Sequence, residues 1–165
     1  MTQPLDPSQL GARAVSRART ITEADVAQFA ALTGDMHPQH TDAVWAAGSR
    51  FGERVAHGML VLSYCVGLVE LDPERVVALR RVANAVFKRP VALGDTIRVE
   101  TAVASVDRLD GENSLVACDW RVLNQDGRVV ARARVELVWR DAGATPTKPQ
   151  PAAAPPDEHF VAIPL

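Results

Sequence analysis

Three stretches in the second half of the chain alternate between apolar and polar residues, the period of a half-buried β-strand. They cover residues 97–103, 114–123 and 129–140. Asp110-Gly111 lies between the first and second stretches, and Asp126-Gly127 lies between the second and third. Because an Asp-Gly pair is typical of a tight hairpin turn, the pattern predicts an antiparallel meander.

The first half has the pattern of helices. Apolar residues recur at helical spacing over 26–32, after an approximate capping box formed by Thr22 and Asp25. Gly34 is expected to end this helix, because glycine readily takes the left-handed conformation that follows a helix. A second, short helix is predicted over 43–47, and 48–54 is predicted to be a loop.

Residues 57–71 are apolar at nearly every position, and a helix that is apolar on all sides is normally buried. Asp72-Pro73 should end it. Strands predicted over 15–21 and 76–88 join the meander in covering this helix. The expected fold is therefore α+β, a curled antiparallel sheet wrapped round one long central helix.

A chain of 165 residues suits one domain. We expect a loose lead-in over 1–13, the folded domain over 14–141, and a Pro/Ala-rich tail over 142–165. The last six residues of that tail, 160–165, are apolar again. Two interpretations stay open: a disordered tail, or an anchor that packs on this subunit or on a partner.

Composition and charge exclude several classes of protein. A net charge of −2 gives no reason to expect binding to nucleic acid or to an acidic membrane. The longest apolar run, 59–69, is about half the length needed to cross a bilayer, and the N-terminus lacks the pattern of a signal peptide. We therefore expect a cytoplasmic protein, with Cys65 and Cys118 as free buried thiols.

The residues that can carry chemistry lie in one short stretch. Asp35 and His40 stand on either side of Pro38, just past the end of the first helix. We predict a loop over 35–40, because proline opposes an easy restart of the helix. A carboxylate beside an imidazole can hold a water, one group accepting its proton while the other delivers a proton to a substrate.

Gly58 lies at the predicted start of the central helix, and its backbone N–H could complement the Asp35 and His40 pair. The first N–H groups of a helix are unpaired and lie at the positive end of its dipole. A carbonyl oxygen there would be polarised, as in an oxyanion hole, and glycine has no side chain to block its approach. An acid/base pair beside such a donor is suited to proton chemistry next to a carbonyl.

Other interpretations of the same residues stay open at this point. Asp35 could cap a turn, and His40 could be structural. With His37 and His57 they are also residue types that bind zinc. The spacing of His37 and His40 does not match a standard zinc motif, so we predict no metal.

Two motifs at a set separation resemble those of the MaoC-like, or (R)-specific enoyl-CoA hydratase, family of hotdog-fold dehydratases. They are Phe29-Ala30-Ala31-Leu32-Thr33-Gly34-Asp35-x-His37-Pro38-x-His40-x-Asp42, then Phe51-Gly52, and Ala56-His57-Gly58-Met59-Leu60. The resemblance implies that Asp35 and His40 are the catalytic dyad and that the Gly58 N–H binds the thioester carbonyl. His37, Pro38 and His57 are then supporting residues.

The resemblance also implies the reaction. Members hydrate trans-2-enoyl thioesters to (R)-3-hydroxyacyl thioesters, or run the reverse dehydration, without a metal. No cofactor is implied, because coenzyme A or acyl-carrier pantetheine is part of the substrate. One hotdog in the chain implies a homodimer or a heterodimer, with the acyl chain in an apolar tunnel beside the central helix. The alternatives are a non-enzymatic acyl-binding partner or subunit of a heterodimeric dehydratase, and a hotdog thioesterase.

The chain departs from the family pattern at two positions. His37 stands where members commonly have Asn, and we expect it to brace the loop, because a neutral imidazole also donates and accepts hydrogen bonds. Val66 stands where several members have a small polar residue near the catalytic Asp, with Ser63 one turn earlier. The second departure predicts a different orientation of Asp35.

Overall fold

The computed structural model describes residues 10–11 and 13–143 of the chain. Its elements, in chain order, are β1 (Arg13–Thr20), α1 (Glu23–Thr33), α2 (Pro38–Thr41), α3 (Ala43–Ala47), α4 (Gly58–Leu68), β2 (Val76–Phe87), β3 (Thr96–Arg108), β4 (Asn113–Leu123) and β5 (Val129–Arg140). The predicted tail lies outside the described residues except for Ala142 and Gly143, and so does most of the predicted lead-in. Within the described part, the α+β class is confirmed.

The five strands form one antiparallel sheet in the order β1-β3-β4-β5-β2. The predicted meander of β3, β4 and β5 is confirmed, with Thr101 opposite Trp120 and Trp120 opposite Ala133. However, β2 does not pair with its successor β3; it pairs with β5 at the far edge. Strand periodicity specifies which side chains face inward, but it does not specify which neighbour a strand pairs with.

The core lies between α4 and the concave face of the sheet. Leu60, Val61 and Cys65 of α4 are buried, and they belong to one cluster with inward residues of the strands. The strand residues with essentially no exposure are Ile97, Val99, Val116, Cys118, Val122 and Val135. Burial of these side chains is the main force that holds the helix in the sheet.

The prediction that α4 is buried on all sides is wrong for one stripe of the helix. Met59 is 60% exposed, and Ser63 and Gly67 are exposed as well. These residues recur every four positions and therefore share one face, which points away from the sheet. The helix is also shorter than predicted, because Val69 is already extended, so it ends at Leu68 and not at Leu71.

The ends of α1 are as predicted. The Thr22 hydroxyl accepts a hydrogen bond from the Asp25 N–H at 3.2 Å, and the Thr22 N–H donates to the Asp25 carboxylate at 2.8 Å. Together they form a capping box. Gly34 ends the helix in the left-handed conformation, with φ of 77°. Asp35 therefore leaves the helix at a defined point.

Asp25 also ties three elements together. Its carboxylate accepts hydrogen bonds from Tyr64 of α4 at 2.6 Å and from Arg19 of β1 at 2.7 Å. Burial alone would raise the pKa of Asp25, but the hydrogen bonds from Tyr64, Thr22 and Arg19 outweigh it and hold the pKa well below its usual range. The charged cluster links the N-terminal end of α1 to both β1 and α4.

The expectation of a plain loop over 35–40 is wrong in its second half. Pro38 is the first residue of the one-turn helix α2, which contains His40. Proline is compatible with this position, since the first N–H of a helix has no partner within the helix and the fixed φ of proline suits a helix start. Only Asp35, Met36 and His37 remain in the loop.

Cys65 and Cys118 are free and buried, as predicted. Burial raises the pKa of the Cys65 thiol to about 12 and that of Cys118 to about 11. Among the described residues, no helix is both long and apolar enough to span a membrane. The cytoplasmic location stays a prediction.

Candidate active site

The structure brings the two sequence motifs together. Asp35 lies in the loop after α1, His40 lies in α2, and His57 immediately precedes α4. One carboxylate oxygen of Asp35 and one ring nitrogen from each histidine lie within 4.8 Å of one another. Asp35 is exposed, whereas His40 and His57 are buried. A single water can therefore contact the carboxylate and the His40 imidazole from the solvent side.

Hydrogen bonds to both nitrogens fix the ring of His40. Its Nδ1 lies 2.6 Å from the carbonyl oxygen of Val55. A carbonyl only accepts, so Nδ1 carries the hydrogen in the neutral ring and Nε2 bears the lone pair. The Gln39 side-chain amide donates to that Nε2 at 2.9 Å. The nitrogen available to accept a proton is therefore Nε2.

The surroundings of His40 favour its neutral form. Burial of the ring is the largest effect and lowers the pKa of His40, and charge on His57 and His37 lowers it further. The hydrogen bond to the Val55 carbonyl and the Asp35 carboxylate oppose this shift without cancelling it. His40 is thus neutral at neutral pH, with a basic lone pair on Nε2 that accepts the hydrogen bond from Gln39.

His57 holds the Asp35 loop against the start of α4. Its ring stacks on His40, with 3.7 Å between centroids and 25° between planes. Its Nε2 lies 3.0 Å from the backbone oxygen of Asp35 and 3.9 Å from the carboxylate. Its buried Nδ1 has no hydrogen-bond partner among the described residues. These contacts place His57 against both Asp35 and His40.

His37 contacts the loop rather than the centre of the site. Its ring Nδ1 accepts a hydrogen bond from the Gln39 N–H at 3.2 Å and so caps the helix that Pro38 begins. Its own N–H donates to the Asp35 carboxylate at 3.3 Å. The exposed ring of His37 lies edge-on to Trp45, 5.5 Å away. These contacts lie within the loop, and the supporting role of His37 stays a prediction.

Val66 and Ser63, at which the chain also departs from the family pattern, both lie in α4. The Ser63 hydroxyl donates to the Met59 carbonyl within α4, and Val66 packs against the core. The Asp35 carboxylate takes its contacts from His37 and His57 instead. Its orientation therefore depends on the loop and the histidines, and not on a polar side chain of α4.

Gly58 is the first residue of α4, and no side chain caps this helix end. The ring of Phe87, from the end of β2, lies directly over it. A Cβ at position 58 would stand 2.7–2.9 Å from three atoms of that ring, which is closer than non-bonded carbons approach. A larger residue at position 58 would therefore require the Phe87 ring to move.

A cavity of about 620 Å³ joins these groups, and Asp35, His40 and Gly58 all line it. The rest of its lining is mostly apolar, with contributions from Phe29, Phe51, Val55, Met59, Val61, Phe87, Val91 and Val130. Three cationic residues, Arg50, Lys88 and Arg89, also line it and are exposed. The cavity is therefore mostly apolar beside the start of α4, and exposed cations form part of its lining.

Sequence reasoning missed several parts of this site. The Val55 acceptor is a backbone atom, for which side-chain identity gives no signal. The contact between Phe87 and Gly58 joins two positions that are distant in the chain. Gln39 was available to sequence reasoning, as the variable position between Pro38 and His40, but only the structure shows that its amide contacts the His40 ring.

Asp35, His40 and His57 also require a test as metal ligands, because their types suit zinc. The two rings are stacked nearly in parallel, so lone pairs in their planes do not converge on one point. In addition, His40 Nδ1 is engaged by Val55. The geometry fits an acid/base pair with a supporting ring better than a metal centre, and the absence of a metal stays a prediction.

A curled antiparallel sheet around one helix is the hotdog fold. A model of the family described as MaoC-like domain matches residues 8–123, and the chain belongs to that family. The resemblance seen in the sequence is confirmed.

Comparisons with individual relatives support the same family. The chain is 33% identical to the (R)-specific enoyl-CoA hydratase of Aeromonas caviae over 116 residues, which cover 69% of this chain and 84% of that one. It is 46% identical to Protein MaoC of Klebsiella aerogenes over 82 residues, 49% of this chain, but spans only 24% of that relative. A monoamine oxidase regulatory protein from Archaeoglobus fulgidus has a similar structure, with a TM-score of 0.77 and 34% identity over 87% of this chain and 97% of that one.

Proposed function

We propose that this protein adds water to trans-2-enoyl thioesters to give (R)-3-hydroxyacyl thioesters, or catalyses the reverse dehydration. One observation carries the proposal: the Asp35 carboxylate and the His40 imidazole meet at the edge of an apolar cavity whose wall includes Gly58 at a helix start. The names of relatives support it, since they include (R)-specific enoyl-CoA hydratase and 3-hydroxybutyryl-CoA dehydratase.

In hydration, the Gln39 amide gives way to a water that lies between Asp35 and His40 Nε2. One member of the dyad accepts a proton from the water as its oxygen bonds to C3 of the enoyl group, and a proton is delivered to C2. The thioester oxygen gains negative charge as the double bond moves, and the Gly58 N–H stabilises that charge. Dehydration reverses each step, so the dyad serves both directions.

A homodimer completes the proposal. Strand β2 is at the edge of the sheet and carries exposed apolar side chains. An unpaired strand edge of this kind can pair with another chain. Val77, Leu79, Val82, Val86 and Phe87 are each 44–49% exposed. Because Phe87 also lies over Gly58, a second copy on β2 would stabilise the wall of the active site.

The test uses purified protein with trans-2-butenoyl-CoA and longer enoyl-CoAs, with product identity and configuration determined by chiral chromatography. We expect (R)-3-hydroxyacyl-CoA and no release of free thiol. Free coenzyme A as the main product would favour the thioesterase alternative. Activity that appears only after a second, related chain is added would favour the subunit of a heterodimeric dehydratase.

A further inference from the structure

The Gln39 side chain contacts the basic nitrogen of His40 directly. Its amide nitrogen lies 2.9 Å from His40 Nε2. That nitrogen carries the lone pair, because Nδ1 donates its hydrogen to the Val55 carbonyl. The amide therefore presents its NH2 group, and not its oxygen, to the ring. It occupies the position from which a water would donate a hydrogen bond to Nε2.

Backbone contacts fix Gln39 on both sides, whereas a single hydrogen bond holds its side chain. Its N–H donates to His37 Nδ1 at 3.2 Å, and its carbonyl accepts from the Val55 N–H at 3.1 Å. Within the described part of the chain, the bond to His40 is the only one that the Gln39 side chain makes. Since the last torsion of a glutamine side chain is broad, the amide can turn while the backbone stays in place.

Gln39 also lines the mostly apolar cavity that contains the dyad. The other uncharged polar side chain of this lining, apart from the histidines, is Thr33, whose hydroxyl already donates to the Phe29 carbonyl. When the Gln39 amide leaves His40, its N–H needs a new acceptor, because an unpaired donor is unfavourable in such surroundings. The acceptor must lie close to His40 Nε2, since the Gln39 backbone is fixed.

A water held by the dyad needs one more partner than Asp35 and His40 provide. Both of its hydrogens are used when it donates to the carboxylate and to Nε2. Two lone pairs remain on its oxygen: one bonds to C3 of the enoyl group, and the other can accept one hydrogen bond. A donor at the second lone pair fixes the direction of the first, and correct orientation of reacting atoms accounts for much of enzymatic rate acceleration.

We propose that Gln39 is this donor: its amide turns from His40 Nε2 to the oxygen of the attacking water and directs the remaining lone pair at C3. The inference rests on the proposed function, which supplies the enoyl thioester. As the C3–O bond forms, an O–H bond of the water breaks and its proton passes to the dyad. The electron pair of the double bond moves toward the thioester oxygen, and the amide keeps its own hydrogens. In dehydration the same oxygen is the 3-hydroxyl, so Gln39 holds the leaving group.

Gln39→Met tests this role, because methionine keeps the length of glutamine and its lack of branching but has no N–H. We expect kcat for hydration of trans-2-butenoyl-CoA to fall by about tenfold, the size expected for one hydrogen bond. KM should be nearly unchanged, because the water and not the thioester loses a contact. Gln28→Met is the matched control, since Gln28 is exposed on α1 and does not line the cavity. Its kcat should equal that of the wild type, and circular dichroism checks that both variants are folded.

Gln39→Glu separates hydrogen-bond donation from shape. A carboxylate has the shape of the amide but cannot donate, so kcat should again fall by about tenfold. A carboxylate beside His40 also favours the protonated ring, so the pKa of His40 and the acidic limb of kcat/KM should both move to higher pH. The other titratable groups that act on His40, which are Asp35, His37 and His57, are the same in both proteins. NMR titration of the His40 ring measures the shift without substrate, and an unchanged pKa would show that side chain 39 does not contact the ring.

The outcomes separate this inference from the proposed function. A wild-type kcat in Gln39→Met would refute the role of Gln39 and leave the hydratase function intact. A kcat above that of the wild type would show that the amide only covers Nε2, and would also overturn the proposal. A raised KM with unchanged kcat would assign Gln39 to binding of the thioester instead. No hydration by the wild type would refute the proposed function, and with it the role of Gln39.

Discussion

His40 combines two properties that a catalytic base needs at neutral pH. The Val55 carbonyl fixes the hydrogen on Nδ1, so the basic lone pair is on Nε2, where it accepts a hydrogen bond from the Gln39 amide. Burial keeps the ring neutral, and the Asp35 carboxylate limits how far the pKa falls. Its stacked neighbour His57 holds the Asp35 backbone, so the relative position of the dyad depends on a third side chain.

The pH dependence of hydration should reflect this environment. The acidic limb of kcat/KM reports a group that must be deprotonated in the free enzyme. Since burial lowers the pKa of His40 from 6.5, we expect the limb below pH 6.5, with activity lost as pH falls through it. NMR titration of the His40 ring gives an independent value. A limb above pH 6.5 that tracks the His40 signal would contradict the account.

At the scale of elements, the start of α4 and the end of β2 form one unit. Gly58 leaves room for the Phe87 ring, and the ring in turn closes one wall of the cavity. The two residues come from consecutive elements, but Gly58 begins the first of them and Phe87 ends the second. Such a contact predicts energetic coupling between them.

A double-mutant cycle tests that coupling. Gly58→Ala should lower kcat/KM by about tenfold, because the new Cβ displaces the Phe87 ring into the substrate space while the backbone N–H is kept. In a Phe87→Ala background the same substitution should cost much less. Circular dichroism checks that each variant is folded. The same loss in both backgrounds would show that Phe87 does not cause it.

The sequence predicted the elements better than their assembly. Strands β3 to β5 and helix α1 carry their own signals, in alternation, Asp-Gly turns and the Thr22 capping box. Placement of β2 beside β5 depends on long-range pairing, which no local pattern encodes. In the site, Asp35, His40 and Gly58 were accessible through motifs, whereas the Val55 carbonyl and the Phe87 ring act only through tertiary contacts. Pro38 led to the wrong prediction of a loop over 38–40, because proline can both end a helix and begin one.

At the scale of the whole molecule, the exposed side of β2 indicates where a second copy would bind. Val82 is 45% exposed on this edge strand. A buried lysine without a partner is unfavourable in an apolar interface, so Val82→Lys should shift a dimer toward monomer. Sedimentation velocity at several concentrations measures this. Val106→Lys, at a valine that is 40% exposed on β3, is the matched control. A wild-type chain that is monomeric at all concentrations would refute the proposed dimer.

The most direct test of the account follows the ultraviolet absorbance of a trans-2-enoyl-CoA with wild-type protein, Asp35→Asn and His40→Gln. Both substitutions keep the size of the side chain nearly constant and remove its proton chemistry. We expect loss of enoyl absorbance with the wild type and a kcat lower by about 10²-fold or more in each variant, with folding unchanged. Near-normal turnover in either folded variant would show that Asp35 and His40 are not the catalytic dyad.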